Sequence, residues 1–554
     1  MYNEGKIYLG KSGDEKIYIY PKMANRHGMI AGATGTGKTV SLKVMAESFS
    51  DAGVPVFLAD IKGDLSGMCI PGTETESLKE RIDEFGLRED GFSFKKFPSS
   101  YWDVYQEVGI PLRTTISEIG PILLSRILKL NNTQSDILTV IFKIADDEDL
   151  LLIDTKDLKA MLNYVGENAK EYSLSYGNIA KTSLGAIVRA VIALEAEGGE
   201  LFFGEEALNI TDWMRTNSEG KGYINILECE KLVNNPTMYS TFLLWMLSEL
   251  YESLPEAGDL EKPRMVFFFD EAHMLFQTAS DELLEKIEQI VKLIRSKGIG
   301  VYFITQSPKD IPNGVLAQLG NKVQHALRAY TPAEQKAAKS AADSFRENPE
   351  FDTYETLTNL GIGEALVSVL DEEGVPSIVK KVRILPPQSQ MAPADEGTRQ
   401  AVINSSEFTL KYQNSIDRDS AYERLNLKRE EEEKKEKEEK EAALKEKEEA
   451  EKKKQEEKER LAREKQEQRE AERARKEAAK AEERARKEAE REAEKKKKVF
   501  KTASKNVASS AAGSVGREVG NILGKSVGGS FGKKLGGNLG ASLGRGIIGT
   551  LFKL

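Results

Sequence analysis

The chain has 554 residues, of which 40% are hydrophobic and 31% are charged, and its formal net charge is −10. This length allows two or three domains and a large core. Two cysteines, Cys69 and Cys229, are too few for a disulfide framework and are typical of a reduced, intracellular protein. The N-terminus lacks a signal-peptide pattern, and no apolar run is long enough for an ordinary transmembrane helix. We therefore expect a cytoplasmic protein.

Charge is distributed unevenly along the chain. Residues 1–427 carry 44 basic and 63 acidic side chains, whereas residues 428–498 carry 28 and 26. Residues 499–554 carry 8 basic side chains and 1 acidic one. The sequence therefore predicts an acidic globular head at 1–390, a linker at 391–427, a charged helical rod and a basic, glycine-repeat tail.

A phosphate-binding loop follows the first elements of the head. Residues 5–20 alternate around a turn and predict a hairpin. The apolar run 27–31 predicts a buried strand, and the apolar spacing of residues 39–49 predicts a helix. Between them lies the pattern G-x-x-x-x-G-K-T, the P-loop. Its residues are Gly32, Ala33, Thr34, Gly35, Thr36, Gly37, Lys38 and Thr39.

The P-loop pattern predicts an ATP site with Mg²⁺. Glycines let backbone N–H groups close around phosphate oxygens, and the helix N-terminus adds partial positive charge. Lys38 would contact the β- and γ-phosphates, and Thr39 would hold Mg²⁺.

The next predicted strand, residues 54–60, ends in Asp60. Strands that alternate with helices predict a parallel sheet with helices on both faces, and such sheets bind ligands at the carboxyl ends of their strands. Asp60 and the following Lys62, Gly63 and Asp64 are therefore expected near the nucleotide. Two interpretations stay open, a turn that caps a helix and a functional contact.

A long section, about residues 75–260, separates this strand from the next acidic strand end. We interpret it as a mostly helical insertion. Its sequence predicts four helices at 116–130, 136–145, 155–164 and 183–194. A strand at 222–227 and a helix at 237–254 follow.

The apolar strand 264–269 ends in Asp270 and Glu271. Asp270 is placed to hold Mg²⁺, and Glu271 is placed to polarise the attacking water. A strand end that only caps a helix is the alternative. Together with the P-loop upstream, the acidic pair favours ATP hydrolysis over binding alone.

Further strands follow a predicted helix at 281–297. The strand 299–306 ends in Gln306, which can sense the γ-phosphate or cap a turn. A short strand is predicted at 322–328, and a hairpin at 364–385. The three histidines are too scattered for a metal site.

These motifs, with Gly298-x-Gly300-Val301 and Thr305-Gln306-Ser307-Pro308, resemble the HerA/FtsK group of P-loop ATPases, including bacterial HerA-like proteins formerly labelled a domain of unknown function. The resemblance implies an α/β, RecA-like core and a ring, usually a hexamer, that moves double-stranded DNA through its pore. It also implies that Lys38 and Thr39 bind the nucleotide and metal, that Asp270 completes the metal site, that Glu271 is the base and that Gln306 is a sensor.

The resemblance implies an arginine finger from a neighbouring subunit as well. Its charge would stabilise the transition state. Arg113, Arg295 and Arg328 are the candidates, and the sequence does not choose among them.

The rod and the tail carry two further patterns. In residues 428–498, Glu and Lys lie three or four positions apart, which supports a solvated helical spacer rather than a strong coiled coil. Alanines at a spacing of three or four between 471 and 485 leave weak pairing near the distal end open as an alternative. In the tail, glycine recurs at every fourth position from Gly516 to Gly544, each time after an apolar residue. We interpret the tail as a helix that self-associates or lies on an anionic membrane surface; a disordered end is the alternative.

The leading hypothesis is a HerA-like, Mg²⁺-dependent ATPase motor, a homo-oligomer that translocates DNA. The alternative is a tethered, ATP-dependent scaffold whose nucleotide state controls assembly at a membrane or protein partner. The first is a cytoplasmic motor, and the second is peripheral at a membrane.

Overall fold

The computed structural model describes residues 1–494, with the exception of 259, 279 and 280. The chain divides into two units, residues 1–439 and residues 440–554. The first unit contains every described strand. In the second unit, the described residues 440–494 all belong to one helix.

Thirteen strands form one mixed sheet in the described part of the chain. They are β1 (Tyr2–Asn3), β2 (Lys6–Ser12), β3 (Glu15–Ile19), β4 (Gly28–Ala31), β5 (Val56–Asp60), β6 (Ser99–Asp103), β7 (Ile110–Pro111), β8 (Ile224–Glu228), β9 (Met265–Phe269), β10 (Ile299–Thr305), β11 (Asn321–His325), β12 (Glu364–Ser368) and β13 (Lys380–Ile384). Their order is β1, β2, β13, β12, β11, β4, β10, β9, β5, β8, β6 and β7, with β3 paired to β2 beside this path.

Along the sheet from β11 to β7, each strand is parallel to the next one. Every residue of β5 and β9 is buried. Because successive side chains point to opposite faces, both faces of these strands are covered, which explains their continuous apolar runs. The P-loop strand β4 lies between β10 and β11, and β10 separates it from β9. This arrangement confirms the predicted α/β, RecA-like core.

Antiparallel strands extend the sheet beyond β11. The predicted hairpins are confirmed as the pairs β2–β3 and β12–β13. The structure adds that β13 pairs with β2, so that the two hairpins join into one edge. The sequence predicted each hairpin but not this pairing. The two strands are far apart in the chain, because β2 precedes the parallel strands and β13 follows them.

Seventeen α-helices are present among the described residues. They are α1 (Lys38–Asp51), α2 (Glu76–Phe85), α3 (Ile116–Ile127), α4 (Asn132–Asp147), α5 (Thr155–Glu167), α6 (Ala169–Tyr176), α7 (Lys181–Leu194), α8 (Glu200–Phe202), α9 (Pro236–Ser253), α10 (His273–Thr278), α11 (Asp281–Ile294), α12 (Asn313–Leu316), α13 (Pro332–Asp343), α14 (Thr353–Asn359), α15 (Glu396–Ser405), α16 (Glu407–Tyr412) and α17 (Ala421–Glu494). Capping boxes begin α3, α4 and α5, which fixes their starts.

The section between β5 and β9 has the predicted helices α3, α4, α5, α7 and α9. Pro121 follows a kink at Gly120 in α3, whereas α7 continues through Gly185. The section also contributes three strands to the sheet. The sequence predicted β8 but neither β6 nor β7, because β6 is polar at three of its five residues and β7 has only two residues.

The structure differs from the predicted linker at residues 391–427. This segment folds into α15, α16 and the start of α17. Phe408 and Tyr412 are buried, with ring centroids 5.5 and 5.6 Å from that of Trp102 in β6. The segment is therefore part of the core at this edge of the sheet.

The predicted charged rod is helical, and its helix α17 begins seven residues earlier than expected, at Ala421. Ala421 and Leu425 are buried, so the first turns of α17 pack on the head. The glycine-repeat tail at 499–554, with its predicted self-association or membrane contact, lies outside the described residues. No helix within residues 1–494 is long and apolar enough to cross a membrane.

Candidate functional site

The P-loop begins where β4 ends and runs directly into α1. Two backbone hydrogen bonds fasten its start to neighbouring strands. Gly32 N–H donates to Thr305 O at 3.2 Å, and Ala33 N–H donates to Ala326 O at 2.8 Å. A Cβ at Gly32 would lie 2.5 Å from His325 Cβ, so this close approach requires glycine. The loop therefore lies at the carboxyl edge of the parallel strands.

Lys38 is the first residue of α1, and its side chain folds back over the loop. Its Nζ donates to Gly32 O at 2.7 Å and to Ala33 O at 3.2 Å. Burial lowers the pKa of this ammonium, which the nearby Glu271 carboxylate opposes. Gly37 precedes it with a φ of 113°, a conformation that favours glycine. Lys38 is thus within reach of a phosphate held by the loop.

A buried histidine, His325, packs against the P-loop and contacts both α1 and β12. His325 Nε2 is 2.8 Å from Ser41 Oγ on α1, and Nδ1 is 2.9 Å from Glu364 O on β12. Burial lowers the pKa of His325 to about 4, so the ring is neutral at physiological pH. The sequence analysis did not identify this role, because the ring packs on residues far from it in the chain.

Asp270 and Glu271 follow β9 at the same edge of the sheet. Asp270 Oδ1 accepts a hydrogen bond from Glu271 N–H at 2.9 Å, and burial raises the pKa of Asp270 to about 6. Glu271 has a φ of 44°, in the left-handed region that non-glycine residues rarely adopt. Such conformations concentrate at functional sites, where the surrounding structure holds them.

The turn after β5 answers the question that the sequence left open for Asp60. Asp60 is fully buried and accepts hydrogen bonds from Gly63 N–H at 2.8 Å and Leu65 N–H at 3.0 Å. Burial, with the nearby Asp64 charge, raises the pKa of Asp60 to about 7. Asp60 therefore holds the turn, while Lys62 and Asp64 extend from it to the site.

Two donors, Lys62 and Gln306, converge on the Glu271 carboxylate, and the His273 ring lies beside it without a hydrogen bond from Nδ1. Lys62 Nζ lies 2.6 Å from Oε1, His273 Nδ1 lies 3.2 Å from Oε2, and Gln306 Nε2 lies 3.4 Å from Oε2. Burial alone would raise the pKa of Glu271, but the Lys62 ammonium, the Gln306 hydrogen bond and the Lys38 charge together hold the pKa below its usual value. Glu271 is therefore a carboxylate, and the predicted sensor Gln306 lies beside it.

The chemistry of the remaining residues fits a magnesium ion. Thr39 Oγ1 donates to Asp64 Oδ2 at 3.4 Å, and the other oxygen of Asp64 is buried with no hydrogen-bond partner. Asp64 and Asp270 lie close enough for their charges to interact. Among the described residues, no cluster of three or more His, Cys, Asp or Glu side chains is arranged to hold a metal alone. One or two carboxylates with nucleotide phosphates are the usual ligands of Mg²⁺, and this set matches that pattern.

The structure separates the three arginine-finger candidates. Arg113 is buried, and its guanidinium donates to Tyr412 O and Gln106 Oε1, both at 2.9 Å. Arg295 precedes the amino end of β10, at the sheet edge opposite the P-loop. Arg328 is exposed and follows β11, whose end contacts the P-loop through Ala326. Arg328 alone is both exposed and at the nucleotide edge.

The structure thus brings the predicted Lys38, Thr39, Asp270, Glu271 and Gln306 to one edge, and it adds Lys62 and Asp64. Both added residues stood in the motif Asp60-x-Lys62-Gly63-Asp64. Their spacing placed them near the nucleotide, but no local pattern indicated that Lys62 contacts Glu271, 209 positions away.

Comparisons with known proteins identify the family of the chain. The family model described as Helicase HerA-like C-terminal matches residues 6–536. The DNA double-strand break repair helicase HerA of Sulfurisphaera tokodaii is 21% identical over 386 residues, covering 69% of this chain and 70% of that protein. HerA of Sulfolobus acidocaldarius is 20% identical over 399 residues, again covering 69% and 70%.

Among solved structures, the bacterial conjugative coupling protein TrwB aligns with a TM-score of 0.46 at 14% identity, covering 71% of this chain and 93% of that chain. The family match covers nearly the whole sequence, including the P-loop and the acidic strand end. The chain therefore belongs to the HerA-like helicase family, and it is an ATP-hydrolysing P-loop enzyme.

Proposed function

We propose that the chain is a Mg²⁺-dependent ATPase motor that moves double-stranded DNA through a homo-oligomeric ring. The observation that carries the catalytic part is the position of Glu271. It is a buried carboxylate at the P-loop edge, within hydrogen-bonding distance of Lys62 and Gln306. In this proposal Lys38 binds the phosphates, Thr39, Asp64 and Asp270 hold the metal, and Glu271 is the base.

Hydrolysis at this edge is an in-line displacement. The oxygen of a water molecule forms a bond to the γ-phosphorus while the bond to the β–γ bridging oxygen breaks, and ADP leaves with that electron pair. Glu271 takes the proton that the water loses. The Lys38 ammonium and the P-loop N–H groups stabilise the charge on the phosphate oxygens. Mg²⁺, when bound, neutralises further charge on the β- and γ-phosphates.

The proposal of a DNA substrate rests on the two HerA relatives reported above, both of which are named DNA double-strand break repair helicases. Residues 1–427 are strongly acidic, and DNA binding depends on phosphate neutralisation. A ring can have acidic subunits and still neutralise DNA phosphates if it concentrates its basic side chains in the pore. A ring would also bring a second subunit to each nucleotide site, where Arg328 is the exposed arginine available to act in trans.

ATP turnover with and without double-stranded DNA tests this proposal. We expect stimulation by DNA that weakens as salt rises, because released counterions drive the binding. Lys38→Ala removes the phosphate-binding ammonium and should abolish turnover in both conditions. A matched control is Lys181→Ala, which removes an exposed charge on α7.

The acidic head favours one alternative, a tethered scaffold whose nucleotide state controls assembly at a membrane or protein partner. In that case the basic tail, not the head, would contact an anionic surface. ATP turnover that DNA does not change even at low salt would contradict the translocase and support the scaffold. Turnover by Lys38→Ala equal to that of the wild type would contradict both.

A further inference from the structure

The turn that carries Lys62 is held by backbone hydrogen bonds, while the Lys62 side chain is partly exposed. Asp60 bonds to the backbone on the far side of the turn, at Gly63 and Leu65. Gly63 has a φ of 72°, a left-handed conformation that favours glycine at this position of the turn. The Lys62 side chain is 43% exposed, and its ammonium pairs with Glu271 while the Asp64 and Asp270 charges lie nearby. A change of partner therefore needs side-chain rotation only.

The contact with Lys62 opposes the role of Glu271 as a base. Lys62 lies on Oε1, while His273 and Gln306 lie on Oε2, so both oxygens are engaged. With both oxygens engaged, the carboxylate has no free oxygen to accept a hydrogen bond from the attacking water, and Lys62 must leave Oε1 before water can occupy that place.

A bound ATP molecule would supply a competing anion at the same edge. Lys38 and Lys62 both lie close enough to Glu271 for their charges to act on it. Lys38 belongs to the P-loop, so a γ-phosphate that contacts Lys38 lies in the neighbourhood of Lys62. Phosphate oxygens bind ammonium groups through strong, charge-assisted hydrogen bonds.

We propose that Lys62 is a positioning residue that moves from the Glu271 carboxylate to the γ-phosphate of bound ATP. On Glu271 it occupies Oε1 and keeps water from that oxygen. On the γ-phosphate it stabilises the transferred group and leaves Glu271 Oε1 available to the attacking water. ADP has no γ-phosphate and leaves Lys62 on Glu271. This inference rests on the proposed role of Glu271 in the function above.

Nucleotide affinities and turnover of Lys62→Ala test the exchange. We expect ADP affinity to stay at the wild-type value, whereas ATP affinity and kcat each fall roughly tenfold or more, the loss of a hydrogen bond between charged groups. Lys62→Arg retains the charge and should recover part of both losses. Lys181→Ala, the exposed control on α7, should match the wild type.

A double-mutant cycle gives a sharper readout. Glu271→Gln removes the charge that retains Lys62, so it should tighten ATP binding in the protein that has Lys62. In the Lys62→Ala background the same substitution should leave ATP affinity unchanged, because no ammonium group is then shared.

Three results would overturn the exchange. The first is an equal loss of ATP and ADP affinity in Lys62→Ala, which indicates a structural role. The second is an effect of Glu271→Gln that is the same in both backgrounds, and the third is no recovery with Lys62→Arg. Wild-type protein that binds ATP without hydrolysing it would contradict the proposed function instead, while the affinities would still decide the role of Lys62.

Discussion

Glu271 receives side chains from three separate elements. Lys62 comes from the turn after β5, His273 begins α10, and Gln306 follows β10. The left-handed backbone at Glu271 costs about 1 kcal/mol for a residue with a Cβ. The hydrogen bond from Ala272 N–H to Ile304 O at 2.8 Å ties the next residue to β10 and helps to hold this conformation. The position of the carboxylate is therefore fixed by the sheet.

Asp64 gives a test of the magnesium site at the residue scale. Asp64→Asn replaces a buried carboxylate oxygen that has no hydrogen-bond partner with an amide of the same size. We expect the Mg²⁺ concentration for half-maximal turnover to rise roughly tenfold, because hard cations prefer charged oxygen ligands. A titration of nucleotide binding with Mg²⁺ should show the same shift.

Asp14→Asn, a substitution in the exposed turn between β2 and β3, is the control for that experiment. An Asp64→Asn protein with a wild-type Mg²⁺ titration would remove Asp64 from the metal site.

The site residues that could be predicted from the sequence are those that belong to one continuous motif. The P-loop has its glycines, Lys38 and Thr39 within eight positions, and Asp270 and Glu271 follow directly from an apolar strand. The pairing of Lys62 with Glu271 depends on two strand ends that are neighbours only in the sheet. Arg113 is excluded as an arginine finger because its guanidinium is buried against Tyr412 and Gln106. No local spacing in the sequence predicts these contacts.

At the scale of elements, α1 connects the nucleotide site to the chain that follows the sheet. Its N-terminus forms the end of the P-loop. Farther along, the buried Lys43 Nζ donates to Gln390 O at 2.8 Å, and the buried Glu47 accepts a hydrogen bond from Gln388 N–H at 2.7 Å. The segment after β13 is thus fastened to the helix that begins at the phosphate site.

The packing of α16 gives a test of the segment that the sequence predicted as a linker. Phe408 is 1% exposed against Trp102, whereas Leu410 is 87% exposed on the same helix. Phe408→Ala should lower the free energy of unfolding by about 3–5 kcal/mol, because it leaves a cavity in the core. Leu410→Ala is the matched control and should change it by less than about 0.5 kcal/mol.

Denaturant unfolding of both variants makes this comparison. Equal stability of the two proteins would mean that residues 391–427 behave as a linker after all.

His27 links β4 to α11 and β10 and gives the fold a pH dependence. Its Nε2–H donates to Val291 O at 2.8 Å, and its Nδ1 accepts from Val301 N–H at 3.0 Å. Burial lowers its pKa from 6.5 to about 4, and the nearby Arg295 charge adds to this effect. The unfolded chain therefore binds more protons below pH 6.5, and stability falls as the pH falls through this window.

His27→Gln removes this titration but keeps one donor and one acceptor. Between about pH 7 and pH 4 the wild type should lose about 3 kcal/mol more stability than the variant. Unfolding free energies measured across this range give the difference. Parallel curves for the two proteins would contradict a neutral, buried His27.

The elements that the sequence predicted are those with a regular apolar pattern. Strands β5, β9 and β10 are continuous apolar runs, and α11 has a strong apolar face. Strand β6 was not predicted, because its sequence Ser-Ser-Tyr-Trp-Asp does not alternate. Residues 391–427 were not predicted to pack, because their few apolar side chains are spread over several short helices.

At the scale of the whole molecule, the proposal depends on a second copy of the chain. The described site contains two cations near the phosphate position, Lys38 and Lys62, and the exposed Arg328 lies at the same sheet edge. In a ring, Arg328 of one subunit would face the nucleotide of the next, where such an arginine is worth several orders of magnitude in rate.

Mixing two inactive variants tests this arrangement. Lys38→Ala lacks a working site but keeps Arg328, whereas Arg328→Ala keeps its own site but lacks the arginine. Mixed rings should recover roughly a quarter of the wild-type turnover, because about one interface in four combines an intact site with an intact Arg328. A mixture that stays inactive while it assembles would place the arginine elsewhere, and full activity of Arg328→Ala alone would remove Arg328 from the mechanism.

The central claim is that Glu271 is the base of an ATP-hydrolysing site at the P-loop edge. Glu271→Gln tests it most directly when ATP binding and single-turnover hydrolysis are measured on the same protein. The variant should bind ATP at least as tightly as the wild type, while its hydrolysis rate falls by roughly 10²–10⁴-fold, the usual contribution of a general base. Hydrolysis at the wild-type rate by a folded, ATP-bound Glu271→Gln protein would contradict the claim.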